Sequence, residues 1–143
     1  SPQEVEDLVL YQIGAVAGIA RSEGLRLQHV KAHGALYNMA CRDAALAEAI
    51  ARAVVAFDPS LVLFGLPDSA LVQAGLDAGL PVAAEAFADR AYEPDGSLVS
   101  RSRPGAVPSP GRSPHRNPRR SRMTRLRGTA ARASAQSSRA RRR

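Results

Sequence analysis

The apolar run Leu61-Val62-Leu63-Phe64-Gly65 decides the fold class of this chain. A continuous apolar run of this length is typical of a parallel strand that is covered on both faces. Further strands are predicted at residues 25–31 and 81–86, on either side of it along the chain. Helical patterns precede and separate the strands, so the order is helix, strand, helix, strand, helix, strand. With short connections, this order predicts an α/β fold built on a parallel sheet.

Capping residues and apolar spacing place the first two helices. Ser1-Pro2-Gln3-Glu4 fits a capping box with proline at the first helical position, and the helix that it opens ends near Gly24. Asp43 is expected to cap the second helix, which ends before Asp58-Pro59. The predicted buried side of this second helix consists of Leu46, Ile50, Ala53, Val54 and Phe57.

Turn-forming residues mark the rest of the organisation. A third helix is predicted to follow Asp68 or Ser69 and to end near Gly79. Residues 32–38 are predicted to form a loop or a tight turn. Pro94-Asp95-Gly96 is typical of a turn, with a short extended piece after it.

Charge divides the chain into two segments. Of its 143 residues, 1–103 hold all 13 acidic residues and 8 basic ones, for a net charge of −5. Residues 104–143 hold 12 arginines and no acid, which brings the whole chain to +7. The first segment is therefore predicted to be one folded domain, and its acidity argues against a nucleic-acid-binding role.

Residues 104–143 have a composition that is predicted to be disordered, because Pro, Arg, Ser, Ala and Gly bury too little apolar surface to fold. Two interpretations stay open. The tail is an Arg-rich arm for nucleic acid or another polyanion. Alternatively, it is the product of a shifted reading frame in GC-rich DNA, which yields the same residue types.

Several classes of protein are excluded by composition. No apolar stretch approaches the roughly 18 residues of a membrane helix, and no cationic segment followed by an apolar one opens the chain as in a signal peptide. The one cysteine, Cys41, forms neither an internal disulfide nor a cysteine-built zinc site. A cytoplasmic location is expected. The absence of Trp, with aromatics at 4%, argues against a surface that stacks single-stranded bases.

Polar side chains cluster after each predicted strand. Since ligands of parallel α/β folds bind at the carboxyl ends of the strands, these clusters are expected on one rim of the sheet. They are His29/Lys31/His33 after the first strand, Gly65/Asp68 after the second, and Glu85/Asp89/Arg90 after the third. The segment from Gly65 to Asp68 lacks the glycine spacing of a phosphate loop.

The first cluster has a chemical and a structural interpretation. Lys31 can hold an anionic group or stabilise developing negative charge, and His29 and His33 can act as acid, base or metal ligand. Alternatively, His29 is a satisfied strand residue and Lys31 extends its ammonium into water.

Glu85 lies in an apolar stretch of alanine and phenylalanine, where a charge needs a partner. It is either a general base or one half of a buried ion pair with Lys31 or Arg90. Asp89 and Arg90 are predicted to form an ion pair that holds their loop. Asn38 is expected to bond its own loop, with substrate binding as the alternative.

Two long motifs resemble those of the LamB/YcsF family. The first is His29-Val30-Lys31-Ala32-His33-Gly34-Ala35-Leu36-Tyr37-Asn38. The second is Glu85-Ala86-Phe87-Ala88-Asp89-Arg90-Ala91-Tyr92, followed by Asp95-Gly96-Ser97-Leu98-Val99 and Arg101. Leu8-Val9-Leu10-Tyr11-Gln12-Ile13-Gly14 also fits the family, and the resemblance covers roughly residues 1–107. Family members usually have Pro in place of Ala32.

The resemblance implies a partial parallel (β/α) barrel of the glycoside hydrolase/deacetylase type. It also implies ATP-dependent hydrolysis of the lactam 5-oxo-L-proline to L-glutamate by a 5-oxoprolinase, with its B and C subunits as partners and no metal assigned. On this basis the expected catalytic residues are Lys31, His33 and Glu85. The expected substrate-binding residues are His29, Asn38, Asp89 and Arg90. Lys31 is expected to meet a phosphate or the substrate carboxylate, and Glu85 to activate water.

The chain departs from the family at both ends. Members carry an earlier stretch with acidic, Asn and His motifs that this chain lacks, and they continue as α/β sequence where it becomes Arg-rich. The expectation is therefore a fragment that is inactive by itself. Two other functions remain open, namely nucleic-acid binding through the tail and metal-dependent deacetylation by the related barrel class.

Overall fold

A computed structural model describes residues 1–107 in two compact units, Ser1–Phe87 and a second that begins at Ala88. The predictions for residues 108–143, which make up most of the Arg-rich tail, lie outside the described residues. The elements of the first unit are α1 (Pro2–Ser22), β1 (His29–Val30), α2 (Gly34–Ala40), α3 (Ala44–Phe57), β2 (Val62–Gly65), α4 (Ala70–Asp77) and β3 (Val82–Ala84).

The three strands form one parallel sheet in the order β1-β2-β3. His29 is in register with Val62, and Leu63 is in register with Val82. The predicted α/β fold with a parallel sheet is confirmed. Among the described residues, β1 and β3 each pair on one side only, so the sheet has two edges.

The two faces of the sheet differ in burial. Leu63 and Gly65 of β2 are buried, and α4 packs against this first face through Gly75, whose position leaves no room for a Cβ against Leu63 and Val82. Val62 and Phe64 point to the second face and are half-buried. Within the described residues β2 is therefore fully covered on one face and partly covered on the other.

The helix boundaries follow the capping residues. Ser1 forms the predicted capping box with Glu4, and Asp43 accepts hydrogen bonds from two backbone amides at the start of α3. Ser69, rather than Asp68, caps α4 by accepting from the amide of Val72. Buried aliphatic side chains of α3, β2 and α4, led by Ile50, Val54, Leu63 and Leu71, form the core with a group of buried alanines.

Two elements differ from the sequence prediction. The sequence predicts a loop at residues 32–38, but Gly34–Ala40 form α2, which is anchored by the buried Tyr37 and Ala40. The first strand covers only His29–Val30 instead of residues 25–31, because its partner β2 offers paired residues only from Val62 onward.

Smaller differences concern burial and strand ends. Phe57, which the helical pattern places on the buried side, is 37% exposed because it is the last residue of α3. The third strand is Val82–Ala84, shorter than the predicted 81–86. Along residues 1–107, every helix is too short or too polar to cross a membrane.

The second unit is a turn-rich segment from Ala88 to Val107. The predicted turn at Pro94-Asp95-Gly96 is confirmed, because the amide of Gly96 donates to the carbonyl of Glu93 and Tyr92 bridges Leu98 in an antiparallel sense. The amide of Ala91 donates to the carbonyl of the buried Ala106, so residues past the predicted boundary at 103 belong to this unit.

Candidate active site

Lys31 and Glu85 form an ion pair at the carboxyl ends of two strands. Lys31 directly follows β1 and Glu85 directly follows β3, and the lysine Nζ lies 2.7 Å from Glu85 Oε2. Because β2 separates the two strands, the long lysine side chain spans the end of the middle strand. The side chains are 26% and 16% exposed, so the pair is largely shielded from water. The sequence left Lys31 and Arg90 open as partners of Glu85, and the structure shows the ion pair with Lys31.

Two aromatic rings complete the surroundings of the lysine ammonium. Nζ lies 4.8 Å from the centre of the Phe87 ring and 5.8 Å from that of Tyr37. The two rings meet edge to face with their centres 6.1 Å apart. Aromatic faces attract cations at these distances, so the ammonium is held by one carboxylate and two rings. It does not extend freely into water.

Glu85 retains an unused acceptor. Its Oε1 is buried and has no hydrogen-bond partner in the described part of the chain, while Oε2 accepts from Lys31. A buried carboxylate oxygen without a partner is costly unless a ligand or water bonds to it. The geometry therefore leaves one basic oxygen beside a fixed cation.

The two histidines occupy different positions. His29 lies in β1 on the second face of the sheet, where its ring meets that of Phe64 at 5.0 Å between centres. His33 is exposed at the residue before α2, where its side chain makes no capping bond. His33 follows the first strand as predicted, whereas His29 lies within it, because the strand is limited to His29–Val30.

Asn38 bonds its own element, as predicted, although that element is a helix. Its Nδ2 donates to the carbonyl of Gly34 in the first turn of α2. Asp68 follows β2 with a positive φ of 56°, in the left-handed region that Asp tolerates better than most residues. This placement puts Asp68 at the carboxyl end of the middle strand, as the strand order predicted.

The remaining predicted site residues lie in the second unit. Nη2 of Arg90 donates to the carbonyl of Val99 at 2.7 Å, and the residue is only 8% exposed. Among residues 1–107 Arg90 forms no ion pair with Asp89, so the predicted pair is wrong: the backbone carbonyl of Val99 takes the guanidinium instead. Asp89 itself is exposed.

Sequence reasoning missed the roles of Tyr37 and Phe87. The sequence did contain a signal for Phe87. In an extended segment, residues two positions apart lie on the same side, so Phe87 is expected on the side of Glu85. Tyr37 was hidden by the wrong prediction of a loop. In the described range no three His, Cys, Asp or Glu side chains are grouped as a metal site requires.

Cys41 is a buried free thiol beside the start of α4. Burial raises its pKa above the ordinary value of 9.0, and hydrogen bonds to the Leu66 backbone and the Ser69 hydroxyl oppose this only in part. A buried thiol with a raised pKa is typical of a structural cysteine rather than of a nucleophile.

Comparisons with known proteins place this geometry in context. The chain is 63% identical over 107 residues to the A subunit of 5-oxoprolinase from Tolumonas auensis, covering 75% of this chain and 43% of the relative. It is 58% identical over 107 residues to the protein of the same name from Bacillus subtilis, covering 75% and 42%. The chain thus spans less than half the length of these curated relatives.

A solved structure and a family model agree with these relatives. The structure of a lactam utilization protein from Thermus thermophilus superposes with a TM-score of 0.71 at 53% identity, covering 75% of this chain and 43% of that one. The model of the LamB/YcsF family matches residues 1–134. With both motifs in place and most of its length matched, this chain belongs to the LamB/YcsF family.

Proposed function

We propose that this chain carries part of the active site of a 5-oxoprolinase, in the A subunit of an enzyme that opens the lactam of 5-oxo-L-proline to give L-glutamate. The observation that carries the proposal is the Lys31–Glu85 pair at the carboxyl ends of parallel strands, with an unpartnered carboxylate oxygen beside it. The names of the relatives and of the Thermus thermophilus structure support a lactam as the substrate class.

The architecture that we propose for the whole protein is a parallel (β/α) barrel. Both edges of the three-stranded sheet lack a neighbour among the described residues, and one face is half-buried. Closing a barrel would pair both edges and make that second face its interior. Lys31 and Glu85 would then lie at the carboxyl-terminal mouth, where barrel enzymes hold their catalytic groups.

The chemistry follows from the poor reactivity of an amide. In the proposed reaction Oε1 of Glu85 takes a proton from water as the water oxygen bonds to the lactam carbonyl carbon. The ammonium of Lys31 stabilises the negative charge that develops on the carbonyl oxygen. The carbon–nitrogen bond then breaks, and the nitrogen takes up a proton for which His33 or His29 is the donor.

Further residues are assigned to the substrate and the assembly. Asn38, Asp89 and Arg90 are proposed to bind the substrate. ATP is proposed as the co-substrate and the B and C subunits as partners, in the cytoplasm. Residues 1–107 contain no glycine-rich phosphate loop, and no step is assigned to them through the nucleotide. This chain by itself is expected to be inactive. It spans less than half the length of its curated relatives, and catalysis needs all of the catalytic groups held together.

The test is turnover by an assembled enzyme built on a full-length relative. Substitutions corresponding to Lys31→Ala and Glu85→Gln are each expected to lower the rate of 5-oxoproline hydrolysis by roughly 10²–10⁴-fold. The matched control corresponds to Glu6→Gln, which removes an acid paired with Arg52 on the helical surface. Unchanged turnover in the first two variants would refute the assignment.

A further inference from the structure

Arg90 is a buried cation with almost no protein partners. It is 8% exposed, and its only hydrogen bond among the described residues runs from Nη2 to the Val99 carbonyl, at 2.7 Å. Its Nε is buried and donates to nothing in that part of the chain. Burying a guanidinium is costly unless an anion and further acceptors compensate, so this arrangement calls for a ligand.

The carboxylates of the same unit do not supply that anion. Glu93 is bound by Arg103, and Oδ1 of Asp95 accepts from the amide of Ser97. Asp89, the neighbour in sequence, is exposed and forms no ion pair with Arg90. Within residues 1–107, then, the positive charge of Arg90 meets no negative one at ion-pair distance.

The backbone directly after Arg90 is held by two hydrogen bonds. The next residue, Ala91, donates its amide to Ala106 and accepts the amide of Val99 through its carbonyl. Val99 in turn holds the guanidinium by its own carbonyl. An arginine that is ordered before its ligand arrives loses little side-chain entropy on binding, which favours a receptor role over a merely structural one.

We propose that Arg90 is the anion receptor of this protein and that it binds a carboxylate of the ligand. The planar guanidinium presents several donors in a fork that matches a carboxylate. The assignment deepens the proposed function, on which it rests, by naming a binding partner for the carboxylate of 5-oxo-L-proline. A phosphoryl group has the same donor requirement and is the competing source of the anion.

The experiment follows the Nε–H resonance of Arg90 by nuclear magnetic resonance in the whole chain. This buried group is assigned by its loss in Arg90→Lys, and it reports locally despite the many other arginines. Titration uses three probes: 5-oxo-L-proline, the neutral lactam 2-pyrrolidone and inorganic phosphate. We expect a saturable shift with 5-oxo-L-proline and none with 2-pyrrolidone. For the variants, isothermal titration calorimetry replaces the Arg90 resonance: Arg90→Lys should weaken binding of 5-oxo-L-proline roughly tenfold, whereas Arg103→Lys, the control, should leave it unchanged.

The outcomes distinguish a carboxylate ligand from a phosphoryl ligand. They also distinguish failure of the Arg90 proposal from failure of the proposed function. A shift with phosphate alone would support an anion receptor but overturn the carboxylate assignment. No shift with either anion, or an equal shift with 2-pyrrolidone, would overturn the proposal altogether. Because the wild-type titration reads out binding without catalysis, failure here differs from failure of the proposed function, which depends on turnover after substitution of Lys31 and Glu85.

Discussion

At the residue scale, the contacts of Lys31 explain how its ammonium group is held at the end of β1. The carboxylate of Glu85 fixes its Nζ, and the rings of Tyr37 and Phe87 cover its sides. An alanine-rich stretch around a glutamate already indicated that the acid needed a partner. The identity of that partner required the strand order, which brings together residues 54 positions apart.

Glu85→Gln should lower the free energy of unfolding by about 1–2 kcal/mol, because it leaves a partly buried ammonium without its carboxylate. Urea denaturation of the chain measures this. The matched control is Glu6→Gln, whose partner Arg52 is half-exposed and whose loss should cost less than about 0.5 kcal/mol. If both variants lost the same unfolding free energy, the Lys31–Glu85 pair would not be better shielded from water than the Glu6–Arg52 pair.

Cys41 gives a prediction for pH dependence. Its pKa is raised in the folded chain, mainly by burial, so the folded state holds the thiol proton more tightly than the unfolded state. The stabilisation is complete below the unfolded value of 9.0 and is lost as pH rises through the higher folded value. The free energy of unfolding, measured by denaturation between neutral and alkaline pH, should therefore fall, and Cys41→Ala should remove the part of the fall that is due to this thiol. If the free energy of unfolding of Cys41→Ala fell with pH as it does in the wild type, the prediction would be wrong.

At the scale of elements, packing of α4 on the sheet depends on a missing side chain. A Cβ at Gly75 would lie 2.9 Å from Val82 Cγ2 and 3.0 Å from Leu63 Cδ2, so either these side chains or α4 would have to shift. Gly75→Ala should destabilise the chain by about 1–3 kcal/mol in thermal unfolding. Gly18→Ala in α1 is the control, since its Cβ meets open space and should stabilise by up to about 1 kcal/mol. If both substitutions stabilised the chain, α4 would not pack closely against Leu63 and Val82 at Gly75.

The elements that sequence predicted are those with strong local signals. Side-chain caps at Ser1 and Asp43, and the apolar run of β2, placed α1, α3 and the middle strand within one or two residues. The helix α2 was not predicted from the sequence, because it has only seven residues, no side-chain cap and a first residue, Gly34, at a φ of 61°. Its stability comes from burying Tyr37, which is a tertiary effect.

At the scale of the whole molecule, α1 carries apolar side chains that the described residues leave more than half exposed. Leu8, Tyr11 and Ile19 are 56%, 74% and 69% exposed, whereas Ile13 of the same helix is buried. Changing Leu8 and Ile19 together to Gln should leave stability within about 0.5 kcal/mol and reduce binding of a hydrophobic dye. The control, Ile13→Gln, should cost roughly 2–4 kcal/mol because that side chain is buried. A large loss of stability in the double variant would show that these side chains are packed.

The parallel α/β fold and the positions of Lys31 and Glu85 at the carboxyl ends of strands could be predicted from the sequence because both follow from strand order. Arg90 could not, since its burial and its bond to Val99 depend on how residues 88–107 fold back on themselves. The barrel remains a proposal for the whole protein, supported by the two sheet edges and the half-buried second face.

The most direct test of the central claim, that two strand ends bring Lys31 and Glu85 together, is amine labelling of this chain. Lys31 is its only lysine, so peptide mass spectrometry after acylation reads that position alone beside the terminal amine. We predict that Lys31 in the folded wild type reacts several-fold more slowly than in the urea-unfolded chain, and that Glu85→Gln removes most of this protection while Glu6→Gln does not. Equal rates for Lys31 in the folded wild type, in Glu85→Gln and in the unfolded chain would contradict the account.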